Sequence, residues 1–144
     1  MRLLPILIQV VTILYVSEAK IFKRCEFVHQ LEKHGVPDWQ IPTLTCLAKW
    51  ESSFDSGKLD YKYGKHGIFQ INEKVWCSPY DYPGRECETT CSNFRDKHLA
   101  DDIACALKIY KDTRELSGIG YDAWDSYWEH CASNNNVAYL RNCD

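Results

Sequence analysis

The chain has no CxxC pair, no internal repeat, no low-complexity tract and no linker rich in proline, glycine or serine. The first absence argues against zinc held by closely spaced thiolates. The others argue against an array or a string of domains, and 144 residues suit one domain. Excess positive charge is missing too. Seventeen Lys and Arg stand against 20 Asp and Glu, for a net charge of −3. This balance supplies no pull toward nucleic acid or anionic membranes, and it weakens any role built on attraction to anionic bacterial walls. The one extended apolar run, Leu3 to Val16, is too short to span a bilayer as a mature helix. Arg2 precedes it, and Ser17 and Ala19 put small residues at the −3 and −1 positions of a cleavage site. Residues 1–19 therefore read as a signal peptide. The mature domain, 20–144, is then secreted, free of the membrane and large enough for one hydrophobic core.

What is abundant is cysteine. Cys25, Cys46, Cys77, Cys87, Cys91, Cys105, Cys131 and Cys143 all follow the expected cleavage point. An even set in an exported chain implies complete disulfide pairing in an oxidising compartment. Spacing alone leaves about a hundred possible connectivities. Apolar residues recur at helical intervals over 24–34 (Cys25, Val28, Leu31), with Gly35 placed to end the helix and Pro37 to block its continuation. A second helix is expected from about Leu44 to Phe54, capped by Thr43, with Leu44, Leu47 and Trp50 on one stripe. Residues 59–72 favour strands through Tyr61, Tyr63 and the run Ile68-Phe69-Gln70-Ile71, with Gly64 and Gly67 at tight turns. A loop region containing Pro79, Pro83 and Gly84 follows. A third helix is expected over about Asp101 to Lys111 and a fourth over Tyr121 to His130. Helices, a small sheet, then helices make an α+β fold.

These residues resemble a known family over the whole of 20–144. Lys20-Ile21-Phe22-Lys23-Arg24-Cys25-Glu26 is similar to the mature N-terminus of c-type lysozymes and α-lactalbumins. Cys46-Leu47-Ala48-Lys49-Trp50-Glu51-Ser52-Ser53-Phe54 resembles the helix that carries the lysozyme acid. Gly67-Ile68-Phe69-Gln70-Ile71-Asn72, then Trp76-Cys77, resembles the sheet and cleft floor. Ala123-Trp124 and Cys131 resemble the far wall, and all eight cysteines fall where the family has them. The resemblance implies a helical lobe and a small antiparallel β-sheet lobe with a cleft between. It also implies the pairing Cys25–Cys143, Cys46–Cys131, Cys77–Cys91 and Cys87–Cys105.

Retaining hydrolysis of a glycosidic bond needs a protonated acid and, about 5 Å away, a carboxylate, an arrangement for which lysozyme itself is the type case. By the resemblance Glu51 is the acid and Trp124 its apolar wall. The second carboxylate should stand two residues before Gly67, where this chain has Lys65. A lysine is neither an anionic nucleophile nor a stabiliser of an oxocarbenium ion. Its ammonium is also expected to lower the pKa of Glu51 and strip it of the proton an acid must donate. Asp60, five residues earlier, is the one candidate substitute, if the turn at Tyr63-Gly64 brings it beside the cleft. The segment between Glu51 and Lys65 is shorter than is typical of the family. For saccharide binding, the resemblance assigns the backbone at Asn72 and Ala123 to an N-acetyl group, Trp76 to stacking, and Gln70 to the neighbourhood of the reacting sugar. Val75 stands where vertebrate members often carry a second tryptophan, which reduces stacking.

The stretch Cys91 to Cys105 resembles the calcium loop of α-lactalbumin and the calcium-binding lysozymes. Asp96, Asp101 and Asp102 match the side-chain ligands, and the carbonyls of Asn93 and His98 match the backbone ligands, with water completing a structural Ca2+ site. Taken by themselves, Asp101 and Asp102 merely suit a helix N-terminus. Three functions are implied. The first is a secreted, monomeric lysozyme-like protein that binds N-acetylglucosamine-containing polysaccharide, peptidoglycan or chitooligosaccharide, with weak or absent hydrolysis. The second is an active muramidase of antibacterial or digestive use. The third is a non-catalytic modifier subunit like α-lactalbumin. Fold alone does not choose among them.

Overall fold

The computed structural model describes residues 18–144, so the expected leader, but for its last two residues, lies outside the described residues. Helix α1 spans Arg24–Lys33 and buries Phe27, Val28 and Leu31 on one face. The side chain of Glu26 accepts from the Lys23 backbone N–H at 3.2 Å, which satisfies one of the orphan donors at its start. Its end is a paired reverse turn. Gly35 N–H donates to Glu32 and Val36 N–H to Leu31, with Gly35 at φ +73°, a conformation that costs glycine nothing.

Helix α2 spans Ile41–Ser52, three residues earlier at its start than the sequence suggested. Thr43 is therefore not its cap. Pro42 occupies the first turn, where a missing N–H is harmless, and the hydroxyl of Thr43 accepts from Asn136 at 3.2 Å instead. Leu44 and Leu47 are fully buried, but Trp50 is 46% exposed and leaves their stripe. It lies flat on His130, with centroids 3.7 Å apart. The helix stops at Ser53 and Phe54, both at positive φ.

A meander of three two-residue strands follows: β1 (Leu59–Asp60), β2 (Lys65–His66) and β3 (Ile71–Asn72), antiparallel in the order β1-β2-β3. Leu59 pairs with His66 and Asp60 with Lys65; Lys65 in turn pairs with Asn72 and His66 with Ile71. The strands are shorter than the pattern predicted. Tyr61 and Tyr63 belong to the β1–β2 turn, and Ile68-Phe69-Gln70 forms a buried turn that enters β3. A 3₁₀ segment, Cys91–Arg95, leads to α3 (Ala100–Ser117), which outruns its expected end at Lys111 and stops at Gly118, φ +84°. The fourth helix expected over Tyr121 to His130 is only a π-type turn, Tyr127–Cys131, followed by a 3₁₀ segment, Asn134–Leu140.

The core joins the two lobes. Phe27 of α1 meets Phe69 of the sheet lobe edge-on at 5.8 Å, and Leu31, Leu44, Leu47, Phe94, Ile103 and Ile109 are buried around them. The Ser52 hydroxyl, at the end of α2, donates to the Ile68 carbonyl at 2.7 Å. Four disulfides close the fold: Cys25–Cys143, Cys46–Cys131, Cys77–Cys91 and Cys87–Cys105. This is the pairing the resemblance implied. Among the described residues, no helix is long and apolar enough to cross a membrane.

Candidate active-site cleft

A cleft of about 320 Å³ separates the lobes, lined by Glu51, Gln70, Asn72, Trp76, Ala123 and Trp124 among others. The expected acid and the five residues expected to contact a saccharide thus line one cleft. Glu51 arrives on the last turn of α2, and the tie of Ser52 to Ile68 sets that turn against the sheet. Trp124 is buried, its indole N–H donating to the Phe69 carbonyl at 2.9 Å. The Gln70 side chain is turned inward, its amide donating to the carbonyls of Lys58 and Gly67. Gln70 therefore stiffens the cleft floor, and its backbone sits at φ +49°. Asn72 accepts from the Lys74 backbone N–H at 2.9 Å.

Glu51 differs from expectation in its proton affinity. Burial raises its pKa above the ordinary glutamate value. A hydrogen bond from Ser126, at 2.7 Å, and the charges of Lys65 and Lys58 act the other way without prevailing. The expectation that Lys65 would strip the acid of its proton is thus corrected: desolvation outweighs the ammonium. Neither Ser126 nor Asp125, which raises Glu51 slightly, was singled out from the sequence. Both follow Trp124 directly, so the same segment carried the signal. Tyr63 and Lys74 also line the cleft and were missed as cleft residues.

Asp60 does not enter. Its Oδ1 accepts from the backbone N–H groups of Lys62 and Tyr63 at 3.0 and 3.2 Å, so it holds the β1–β2 turn. It is not among the residues that line the cleft, whereas Lys65 is. Lys58 spends its ammonium on the Glu51 backbone carbonyl.

A second cluster lies at the start of α3. Carboxylate oxygens of Asp96, Asp101 and Asp102 come within 4.8 Å of one another. Asp102 is wholly buried, and among the described residues neither of its oxygens has a hydrogen-bond partner. Burial, reinforced by the charge of Asp101, pushes its carboxyl well above the usual range. Burial also raises Asp96, partly offset by the His98 N–H it accepts at 2.8 Å. An unpartnered buried carboxylate beside two others suits a hard cation with oxygen ligands. His66, Glu73 and the Cys91 sulfur also converge, but that sulfur is bonded to Cys77 and offers no thiolate. A larger hollow of about 520 Å³ beside Cys87–Cys105 is lined by Glu86, Glu88, Asp101 and Lys108 among others, and none of the residues expected at the saccharide cleft lines it.

A two-lobed α+β domain with four disulfides and a desolvated glutamate over the interlobe cleft defines the lysozyme-like class of proteins. The comparisons agree. The C-type lysozyme/alpha-lactalbumin family profile matches residues 20–143. The chain is 34% identical to Lysozyme C-2 of Sus scrofa, over 88% of each chain. It is 38% identical to a lysozyme of Bombyx mori, over 80% of this chain and 82% of that one. It is 30% identical to sperm acrosome-associated protein 5 of Mus musculus, over 99% and 92%. A crystal structure of a lysozyme from Litopenaeus vannamei superposes with a TM-score of 0.77 at 32% identity, covering 86% of this chain and 97% of that one. The chain belongs to the C-type lysozyme/alpha-lactalbumin family.

Proposed function

We propose that this protein is a secreted, monomeric lysozyme homologue that binds N-acetylglucosamine-containing polysaccharide, peptidoglycan or chitooligosaccharide, and hydrolyses it weakly or not at all. One observation supports the reading: Lys65 lines the sheet wall of the cleft, at the position where the family resemblance puts the second carboxylate. Glu51, kept desolvated, retains the character of a proton donor. With no carboxylate on the sheet wall among the described residues that line the cleft, a developing oxocarbenium charge meets an ammonium there, which repels it. Asp60, engaged in its turn, offers no replacement.

Binding does not need that carboxylate. Asn72, Ala123 and Trp76 remain available to an N-acetyl group and a sugar face. Isothermal titration with chitotriose tests this half of the reading, and the absence of both heat and a tryptophan fluorescence change would sink it. Lys65→Asp tests the other half. Hydrolysis of a chitooligosaccharide should rise by about 100-fold or more in that variant. Robust wild-type turnover that disappears in Glu51→Gln would establish the active muramidase instead.

A calcium ion belongs to the same proposal. Asp96, Asp101 and Asp102, with the carbonyls of Asn93 and His98, would hold it. The ion supplies positive charge to a crowded set of carboxylates and so stabilises the fold.

A further inference from the structure

The cleft's charges are sorted by wall. In the β2–β3 hairpin, Lys65 pairs with Asn72, and the Glu73 N–H donates to the Gly64 carbonyl at 2.9 Å, so the ladder runs on past the strands. Side chains alternate between the two faces of such a ribbon. Tyr63, Lys65, Asn72 and Lys74 fall on the face that lines the cleft. Glu73, the hairpin's one acid, falls on the other face and pairs with His66 at 2.8 Å. Gly64 makes that possible, because a Cβ there would overlap the Glu73 side chain. Among the described residues, neither Lys65 nor Lys74 has a carboxylate within salt-bridge distance. Lys65 and Lys62 flank Tyr63, their ammoniums 6.0 and 5.1 Å from its ring centre. The acids of the cleft, Glu51 and Asp125, stand on the helical wall.

We infer that the cleft selects acidic glycans: N-acetylglucosamine polymers bearing sulfate or carboxylate groups, with the acid received by Lys65 and Lys74 along the sheet wall. The inference rests on the saccharide-binding reading above and names its ligand class. An anion at this wall meets two ammoniums that, among the described residues, form no salt bridge, inside a cleft that limits screening by water. An anion at the opposite wall meets Asp125, so the two walls also orient the chain. The whole molecule carries a net charge of −3, so the preference is local to the cleft and not a general attraction to polyanions.

The test compares chitotetraose with two derivatives of the same backbone, one 6-O-sulfated and one oxidised to C6 carboxylates, by calorimetry at low and high salt. Both derivatives should bind about tenfold tighter than chitotetraose at low salt, with the gain shrinking as salt rises. A gain for one derivative alone would still support the inference and identify which acid is read. Lys65→Gln and Lys74→Gln should each cut the gain, taken as the ratio of derivative to chitotetraose affinity within the same variant, about threefold. Lys111→Gln, on the exposed side of α3, should change nothing. If chitotetraose binds and neither derivative binds tighter, this inference falls and saccharide binding stands. If the gain survives the double Lys65→Gln/Lys74→Gln variant, or falls equally with Lys111→Gln, diffuse charge is responsible and the inference also falls. If none of the three ligands binds, both readings fall.

Discussion

Glu51 shows how two opposed effects at one side chain are ranked by their surroundings. An ammonium across the cleft stabilises its carboxylate, and removal from water destabilises it, and the second prevails. This has a consequence for stability. The folded state keeps a proton on Glu51 at pH values where the unfolded chain, with an ordinary glutamate near 4.5, has released it. Stability therefore falls as pH rises from that value through the folded-state pKa, and the loss persists above it. Glu51→Gln should lessen the slope by this share, leaving that of Asp96 and Asp102, which denaturant unfolding of both proteins over about pH 4–7 would measure. A steeper decline in the variant would contradict the assignment. In Lys65→Asp the lost ammonium and the added carboxylate both favour the protonated acid, so Glu51 should titrate still higher.

At the scale of elements, the turn from β2 into the cleft floor leaves no room for change. Gly67 sits at φ +77°, and a Cβ there would overlap the carbonyl oxygen of Phe94 in the 3₁₀ segment and crowd a carboxylate oxygen of Asp102. Gly67→Ala combines an unfavourable backbone conformation with a backbone clash and should cost about 2 kcal/mol or more, read as a lowered melting temperature. The same contact places the floor of the cleft against the acidic loop. Calcium should raise the melting temperature and a chelator lower it, and Asp102→Asn should abolish both responses. A melting temperature indifferent to both additions in the wild type would remove calcium from the account.

At the scale of the molecule, the disulfides divide the labour by loop length. Cys25–Cys143 joins positions 118 residues apart, and Cys77–Cys91 joins positions only 14 apart. By the entropy of the chain they close, the first is worth about 5 kcal/mol and the second about 3 kcal/mol. Removing Cys25 and Cys143 together should therefore destabilise the protein more than removing Cys77 and Cys91. Equilibrium unfolding in denaturant would rank the two variants, and the reverse order would show that native contacts, not unfolded-state entropy, set the difference.

Much of this was legible in the order of residues. Phe27, Val28 and Leu31 announce α1 by spacing, and the family motifs carry the disulfide pairing and six of the positions that line the cleft. Lys65 was visible as a break in a motif because motifs are local in sequence. Other features were not legible. Gln40 precedes α2 with no capping hydrogen bond, so the helix began earlier than any capping signal indicated. The segment Tyr121 to His130 has helical composition, yet the chain spends residues 121–123 on a turn that delivers Trp124 to the cleft, and helical structure begins only at Asp125, from where Ser126 reaches Glu51.

The sequence by itself determined which groups this protein owns: eight cysteines, an acid at Glu51, a lysine at Lys65, and three aspartates between Cys91 and Cys105. The tertiary structure decided what those groups do. Burial is a property of surroundings, so only the fold could set desolvation above Lys65 at Glu51, or leave Asp102 without a partner. Only the pairing of strands could send Glu73 to His66 and leave Lys65 and Lys74 facing the cleft without a salt bridge among the described residues.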